Sequence, residues 1–392
     1  MKKLTALSLG LVAFALTAIP ALSAPLASIP TTQSVLVAPV DPDHFTFSVT
    51  GDNRSTGHGE PMPPSLDAIC REIGLLHPAF TLWTGDCIEG YGDTPKEADA
   101  EYDVFLKSAS LTGSPVFNAP GNHEYTLDIA LLPVYKKRMG GDLYGSFDYG
   151  NSHFIQLNSC SIEADGSLHN AELDTAQWAW LEADLKAHVS AKNIFVFLHH
   201  YPFGPADDDP KLDSGMADTA VRDRLHALMV KYGVRSVYAG HNHRYYRTVK
   251  DGVEYIISGG AGAPLDASPE QGGFLHYLMV HVDGAKISTD ILQPWHLLVD
   301  YPTPTSAHVA NTQPIDVDIN SLVFRVAAPP AGKTYSATAG IAYKKKAKVV
   351  ETKVLSTVAV PNTKLVDVTV SVHAAKARST QVDLTLVDSP AK

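Results

Sequence analysis

Short apolar runs rich in Val, Ile, Phe and Tyr alternate with amphipathic segments along the first three quarters of the chain. Runs of this length and composition, bounded by Gly, Pro, Asn or Asp, are typical of buried strands. They predict strands at residues 45–49, 80–83, 115–118, 153–158, 194–198, 236–239 and 253–257.

Three of the intervening segments carry apolar residues at helical spacing. In residues 65–77, for example, Leu66, Ile69, Ile73 and Leu76 fall on one helical face. Residues 172–189 and 219–231 follow the same pattern. Strands that alternate with amphipathic helices predict an α/β or α+β fold, with the helices packed on a sheet.

The last quarter of the chain has a different pattern. Residues 301–314 contain repeated Pro and Thr with little bulk, which predicts a linker after a large domain at residues 44–300. Residues 315–392 alternate apolar and polar positions, and we expect a small C-terminal β-sandwich-like domain. The lysine run at residues 344–348 is interpreted as a solvated strand edge or turn, with binding to a glycan or surface as the alternative.

The first 24 residues have two lysines, an apolar run and then small residues. This is the pattern of a secretory signal peptide, followed by a leader at residues 25–43. A membrane anchor is the alternative, but an apolar run of 16 residues is shorter than the roughly 20 needed to span a bilayer. We therefore expect a periplasmic or secreted protein with no membrane span after the signal is removed.

Charge separates the two regions further. Residues 25–315 carry 18 basic and 36 acidic residues, a net charge of −18, whereas residues 316–392 carry 11 basic and 6 acidic residues, or +5. A region with this much negative charge repels polyanions, and we therefore expect no nucleic-acid partner. Only three cysteines occur, which excludes a disulfide framework, although one pair could form a bridge.

Nearly every predicted strand of the large domain ends in residues that can bind a metal. Because loops at the ends of parallel strands converge, we expect their side chains to lie close together. Any one of these short motifs is weak evidence, whereas the ordered set is strong. The motifs are V-T-G-D-N-R with Asp52, W-T-G-D-C with Asp86, A-P-G-N-H-E with Asn122 and His123, F-L-H-H-Y-P with His199 and His200, and Y-A-G-H-N-H with His241 and His243.

This set resembles the blocks D-x-H, G-D, G-N-H-[DE], H and G-H-x-H of the calcineurin-like metallophosphoesterase superfamily. The resemblance covers about residues 44–295. It implies a four-layer fold, a β-sandwich flanked by helices, and a small phosphoester substrate. It also implies hydrolysis of phosphate mono- or diesters by a hydroxide that bridges two metal ions.

The resemblance also assigns roles to the residues. His123 is the candidate to protonate the leaving oxygen, because it stands beside a ligand and is itself free. Ligands of mixed Asp, Asn and His suit Mn, Fe, Zn or Ni, and the sequence does not choose among them. The proposed ligands are Asp86 bridging both ions, Asn122, His200 and His241 on one ion, and Asp52 and His243 on the other.

Two positions leave alternatives open. His200 fits the family's H-x-P spacing better than His199, but the two roles could be exchanged. The first block is D-N-R, so Arg54 stands where the family has a histidine. Arg54 cannot bind a cation but could clamp phosphate oxygens, and His58 could replace the missing ligand.

A further departure concerns the related purple acid phosphatases, in which a tyrosine stands three residues after the G-D aspartate. Here that position is Glu89, so an iron-tyrosinate site is not implied. The alternative function is a metallophosphoesterase fold with reduced catalysis that serves as a binding or cell-surface protein.

Overall fold

The computed structural model describes residues 35–205, 215–343 and 346–389. The predicted signal peptide and most of the predicted leader lie outside this part of the chain, as do two lysines of the 344–348 run. Within it, no helix is both long and apolar enough to cross a membrane.

Each strand and helix predicted for the large domain overlaps an observed element. The strands are β1 (His44–Thr50), β2 (Thr81–Trp83), β3 (Val116–Asn118), β4 (Gly145–Tyr149), β5 (Ser152–Gln156), β6 (Asn193–Phe197), β7 (Ser236–Ala239), β8 (Tyr245–Lys250), β9 (Val253–Ser258), β10 (Tyr277–Asp283) and β11 (Lys286–Leu292). The α-helices are α1 (Pro64–Leu76), α2 (Pro95–Ala109), α3 (Asn122–Tyr125), α4 (Leu132–Met139), α5 (Thr175–Ala187) and α6 (Thr219–Lys231).

These strands form two sheets that pack face to face. One sheet has the order β11-β10-β1-β2-β3 and the other has the order β4-β5-β6-β7-β9-β8. Aromatic rings fill the space between them: Phe154 of the second sheet lies 5.2 Å from Phe47 and 5.0 Å from Phe80 of the first, between ring centroids. Edge-to-face contacts of this kind stabilise a core beyond the burial of apolar area.

Helices cover the outer faces of both sheets. α1 and α2 pack against the first sheet, for example through Cys70 and Phe105, and α5 and α6 pack against the second, for example through Leu181 and Leu225. The result is the predicted four-layer α/β arrangement. Strands β1, β2 and β3 run parallel, as do β5, β6, β7 and β9, so each sheet brings several carboxyl-terminal strand ends to one edge.

The C-terminal region is all β, as predicted. Its sheets have the orders β12-β13-β19-β15-β16 and β14-β18-β17. Its strands are β12 (Leu297–Thr303), β13 (Ser306–Asn311), β14 (Val317–Ala327), β15 (Lys333–Tyr343), β16 (Lys346–Val350), β17 (Thr352–Ala359), β18 (Leu365–Ala374) and β19 (Arg378–Asp388).

The prediction of a linker at residues 301–314 is wrong, because β12 and β13 form a hairpin there. β12 is the edge of its sheet, so Pro302 removes no ladder hydrogen bond that a neighbouring strand would need. The alternating Ala307 and Val309 are fully buried. Residues 297–300, predicted as the end of the large domain, therefore belong to the C-terminal sheet.

Helix α1 joins the two regions through one shared core. Its Ile69, Ile73 and Leu76 belong to the same apolar cluster as the interior of the C-terminal sheets. The buried carboxylate of Glu72 accepts the backbone N–H groups of residues 296 and 297 at 3.0 and 3.1 Å. It also accepts the hydroxyl of Tyr277 at 2.8 Å. The C-terminal region is thus packed on the large domain rather than tethered to it.

Candidate metal centre

The predicted site residues all lie at strand ends of the two facing sheets. Asp52 and Asp86 follow β1 and β2, and Asn122 begins α3 after β3. The histidine pairs come from the second sheet, with residues 199 and 200 after β6 and residues 241 and 243 after β7. The convergence expected from the strand order is therefore observed.

Three of these residues adopt left-handed backbone conformations. The φ angles are 60° at Asp52, 54° at Asp86 and 70° at His241. Such conformations cost an L-residue about 1–3 kcal/mol each and persist only where the surroundings enforce them. A side chain on Gly240 would collide with the carboxylate of Asp52, so this block requires glycine for close approach of the backbone.

The first group of candidate ligands lies around Asn122. Its Oδ1 is 2.8 Å from His199 Nε2 and 3.0 Å from His241 Nδ1, and the two nitrogens are 3.3 Å apart. Burial lowers the pKa of His199 to about 4, so the ring is neutral. Its one proton lies on Nδ1, which donates to the carbonyl of Thr84 at 2.7 Å. The lone pair of Nε2 therefore faces other lone pairs, an arrangement that a cation stabilises.

His200 lies at the same place. Its Nε2 is buried and has no hydrogen-bond partner among the described residues. Three candidate ligand atoms lie within 4.8 Å of one another, one from each of His199, His200 and His241. Both histidines of the pair can thus reach one ion, and the geometry places His199 Nε2, the alternative ligand, nearest to the other donor atoms.

Asp52, Asp86 and His243 form a second group, again with ligand atoms within 4.8 Å of one another. His243 Nδ1 donates to the carbonyl of Pro264 at 2.6 Å, which leaves the Nε2 lone pair 3.8 Å from Asp52 Oδ1. Burial, with a further contribution from the charge of Asp86, raises the pKa of Asp52 well above its usual range. The other oxygen of Asp52, Oδ2, is buried and has no hydrogen-bond partner in the described part of the chain.

The aspartate between the two groups is ionised. Burial alone would raise the pKa of Asp86, but His199 and the other basic side chains around it hold the pKa well below its usual range. Its Oδ1 lies 3.3 Å from His199 Nε2, and its Oδ2 lies 3.7 Å from Arg54 Nε. Asp86 thus faces both groups, as a bridging carboxylate must.

His58 does not join either group. Its Nδ1 lies 2.6 Å from Asp93 Oδ1, and its side chain is half exposed. With Asp93 and Glu97 it forms a separate cluster. The suggestion that His58 replaces the missing histidine ligand is therefore wrong. The close contact with Asp93 holds the His58 ring outside both groups of candidate ligands.

His123 is held with one nitrogen turned towards the centre. Its Nδ1 donates to the carbonyl of Glu89, and its ring stacks on Tyr91 with centroids 3.7 Å apart. Its Nε2 lies 3.9 Å from Asp86 Oδ2. Because the carbonyl fixes the tautomer, Nε2 is the atom that can gain and lose a proton.

Glu124 was not predicted as a site residue. Its buried carboxylate accepts the backbone N–H groups of Asp86, Cys87 and Gly121 and so holds the G-D and G-N-H loops together. Burial and the charge of Asp86 raise its pKa to about 8. The acidic position of the G-N-H-E motif was the available signal, whereas nothing in the sequence marked the carbonyls of Thr84 and Pro264.

The residues present fit a pair of cations. Two orphaned buried atoms, Asp52 Oδ2 and His200 Nε2, and the opposed lone pairs around Asn122 would be costly without positive charge between them. The donors are oxygen and imidazole nitrogen without thiolate, a set that suits Mn, Fe, Zn or Ni.

Residues 45–245 match the calcineurin-like phosphoesterase family, and the chain belongs to it. Over 198 residues it is 28% identical to a serine/threonine-protein phosphatase CPPED1 of Danio rerio, which is 48% of this chain and 61% of that protein. It is also 35% identical to a tartrate-resistant acid phosphatase type 5 of Oryctolagus cuniculus over 103 residues, 26% of this chain and 29% of that one. The chain thus matches less than two thirds of the length of these relatives.

Among solved structures, a dimetal phosphatase from Danio rerio is similar with a TM-score of 0.50 and 14% sequence identity. The similarity covers 63% of this chain and 95% of that one. At this level of identity the likeness supports the fold.

Proposed function

We propose that this protein is a metal-dependent phosphoester hydrolase that acts outside the cytoplasm. The observation that carries the proposal is the convergence of carboxylate oxygens and unprotonated imidazole nitrogens from five strand-end loops. They form two groups that meet at Asp86. Such groups are stable in a buried site only beside positive charge, which bound metal ions would supply. Because the chain belongs to a phosphoesterase family, we infer that this positive charge serves phosphoester hydrolysis.

We assign the candidate ligands to two metal ions. Asn122, His241 and the His199/His200 pair would hold one ion, Asp52 and His243 would hold the other, and Asp86 would be shared between them. When bound, the ions lower the pKa of a water molecule and neutralise charge on the phosphoryl oxygens. These assignments agree with the predicted ligands and add His199.

Two other side chains act on the substrate itself. Arg54 binds phosphoryl oxygens through the N–H groups of Nη2, which its partners among the described residues leave free, and so orients the phosphorus. His123 Nε2 donates a proton to the leaving oxygen, while the Glu89 carbonyl keeps the other nitrogen protonated and the ring in place.

The relatives support a broad class of substrate, the phosphoesters. The names of two relatives indicate protein phosphatase and acid phosphatase activities, which supports phosphate monoesters for this chain. Phosphate diesters remain in the proposal because the same centre can activate either ester.

The test is hydrolysis of a nitrophenyl phosphate monoester and a diester by metal-free protein reloaded with Mn²⁺ or Zn²⁺. We expect turnover of at least one ester, its loss on chelation, and a loss of more than about 100-fold in Asn122→Ala. A folded protein that binds these ions but hydrolyses neither ester would favour the binding or cell-surface alternative.

Export needs a separate test. Expressed with residues 1–24, the protein should appear outside the cytoplasm with a new amino terminus near residue 25, because the leading segment has the three parts of a signal peptide. The matched control lacks residues 2–24 and should stay in the cytoplasm. Recovery of the full chain with Met1 intact in the cytoplasm would contradict export.

A further inference from the structure

The two positions at which this chain departs from its relatives' patterns are in contact. Arg54 stands where the family has a metal-binding histidine, and Glu89 stands where purple acid phosphatases have a tyrosine. Arg54 Nη1 donates to Glu89 Oε2 at 2.9 Å and to the Ser55 carbonyl at 3.2 Å. Only 16% of the arginine side chain and 8% of the glutamate side chain are exposed. The two substitutions therefore form one buried ion pair.

This pair fixes a positive charge beside one half of the metal centre. Arg54 Nε lies 3.7 Å from Asp86 Oδ2, on the side of the carboxylate away from His199. Asp86 belongs with Asp52 and His243 to one group of candidate ligands, so the charge of Arg54 lies beside that whole group.

A fixed cation changes what this half can bind. Like charges a few ångströms apart in a poorly solvated site repel strongly, and an ion held by Asp52, Asp86 and His243 would compete with the guanidinium for the Asp86 carboxylate. The same half also lacks the ligand that a histidine at position 54 would provide. Both effects weaken metal binding there, and neither acts directly on the Asn122 group.

The guanidinium also supplies positive charge for binding phosphoryl oxygens, which a tightly bound second ion would otherwise supply. Its Nε is enclosed and faces Asp86, whereas Nη2 makes no hydrogen bond within the described ranges and is not enclosed, so its N–H groups remain free for an incoming oxygen. A planar guanidinium can bind two oxygens of one phosphoryl group. Glu89 is then a positioning residue, because it holds Nη1 and so sets where the remaining N–H groups point.

We propose that Arg54, positioned by Glu89, replaces part of one metal ion's role, so that the Asp52/Asp86/His243 site binds its ion much more weakly than the Asn122 site. The inference rests on the proposed function for the identity of the centre. It predicts a protein with one tightly bound ion, a second that is readily lost, and an arginine that binds the substrate phosphate.

The experiment is calorimetric titration of metal-free protein with Mn²⁺ alone, without substrate. We expect two steps in the wild type, the second at least about 10-fold weaker than the first. Arg54→Lys keeps the charge, and its second step should remain weak. Arg54→Gln removes the charge and should strengthen the second step, and Arg54→His should strengthen it most because it adds a ligand. Arg325→Gln, at an ion pair in the C-terminal region, is the matched control and should change neither step.

Inhibition by inorganic phosphate separates the positioning role of Glu89 from a role in folding. Glu89→Gln and Arg54→Lys should each weaken competitive inhibition by at least about 5-fold, since charge-assisted bidentate contacts are lost. Their unfolding midpoints, measured in parallel, show whether the fold is retained. A Glu89→Asp variant should recover part of the phosphate affinity, which a merely structural defect would not.

Two outcomes would overturn the inference: equal affinities for two Mn²⁺ ions in the wild type, or stepwise affinities that Arg54→Gln leaves unchanged. Equal affinities together with ester hydrolysis would refute the inference and keep the proposed function. Unequal steps without hydrolysis of any ester would keep the inference and refute the proposed function.

Discussion

The strand-end loops bury carboxylates and imidazoles, whereas the described part of the C-terminal β region buries neither. In the loops, buried Asp52 Oδ2 and His200 Nε2 have no partner among the described residues, and three site residues adopt left-handed backbone angles. In the C-terminal region, the buried amide of Asn311 donates to two carbonyls, and the core is made of Val, Ile, Leu and Phe. The difference indicates that the loops are held in place by the sheets and arranged for binding, whereas the C-terminal core serves stability.

Asp86→Ala should give the largest effect on function and only a modest cost in stability. A carboxylate that faces both ion groups is lost, so hydrolysis should fall by more than the roughly 100-fold typical of losing an outer-sphere group. The metal-free variant should unfold at a somewhat lower temperature, because the basic side chains that hold the pKa of Asp86 below its usual range favour the folded state with Asp86 ionised. Ester hydrolysis and thermal unfolding of chelator-treated protein check the two halves of this prediction.

If Asp86→Ala instead destabilised the metal-free protein strongly, the loops would be structural in the same sense as the C-terminal core. The comparison between the two regions would then fail.

Phe324→Ala tests the other region. Phe324 is fully buried in the core that α1 shares with the C-terminal sheets, so its truncation should lower the free energy of unfolding by about 3–5 kcal/mol. The activity per folded molecule should not change. Val323→Ala, on the exposed face of the same strand, is the matched control and should have little effect. Urea denaturation measures both.

The same shared core bears on removal of the C-terminal region. Because Ile69, Ile73 and Leu76 of α1 would lose their apolar neighbours, a chain that ends near Pro314 should aggregate or unfold rather than remain an active enzyme. Soluble, active protein of that length would show that α1 does not need the C-terminal core.

The sequence predicted the site better than it predicted the edges of the fold. Glycine-flanked Asp, Asn and His at strand ends are rare enough in combination to identify the centre. α2 was missed although Thr94 and Glu97 form a capping box, because the exposed Val104 obscures the apolar face that contains Tyr102 and Phe105. The β12–β13 hairpin was missed because proline at a sheet edge reads like proline in a linker.

Three features of the site could not be predicted, because they depend on distances between residues that the sequence pattern does not give. The choice between His199 and His200 depends on what holds each ring, which is the Thr84 carbonyl for His199 and the Ser159 hydroxyl for His200. The fate of His58 depends on Asp93, a residue 35 positions away. The contact between Arg54 and Glu89 likewise joins two loops, so each departure looked isolated in the sequence.

Glu72→Gln probes the junction of the two regions through pH. Burial raises the pKa of Glu72 to about 7, above its value in the unfolded chain. The folded state therefore holds this proton more tightly, and the contribution to stability is full below about pH 4.5 and is lost as the pH rises to about 7. The loss amounts to at most about 3 kcal/mol.

Glutamine keeps an acceptor for the backbone N–H groups of residues 296 and 297 but cannot ionise. The difference in the free energy of unfolding between variant and wild type should therefore shift in favour of the variant between about pH 5 and about pH 8. Urea denaturation across this range measures it. A difference that does not vary with pH would mean that Glu72 has an ordinary pKa and that water reaches the junction.

Arg325→Gln should have the smallest effect, and it shows what an ion pair contributes when it carries no function. Arg325 contacts Asp367 through two 2.8 Å hydrogen bonds across β14 and β18, but 62% of the arginine side chain is exposed. Solvent and salt screen such a pair, so the unfolding midpoint should fall by no more than about 2 °C, and by less in high salt. A larger fall would mean that the C-terminal sheets depend on surface charge, and their stability could no longer be attributed to the apolar core alone.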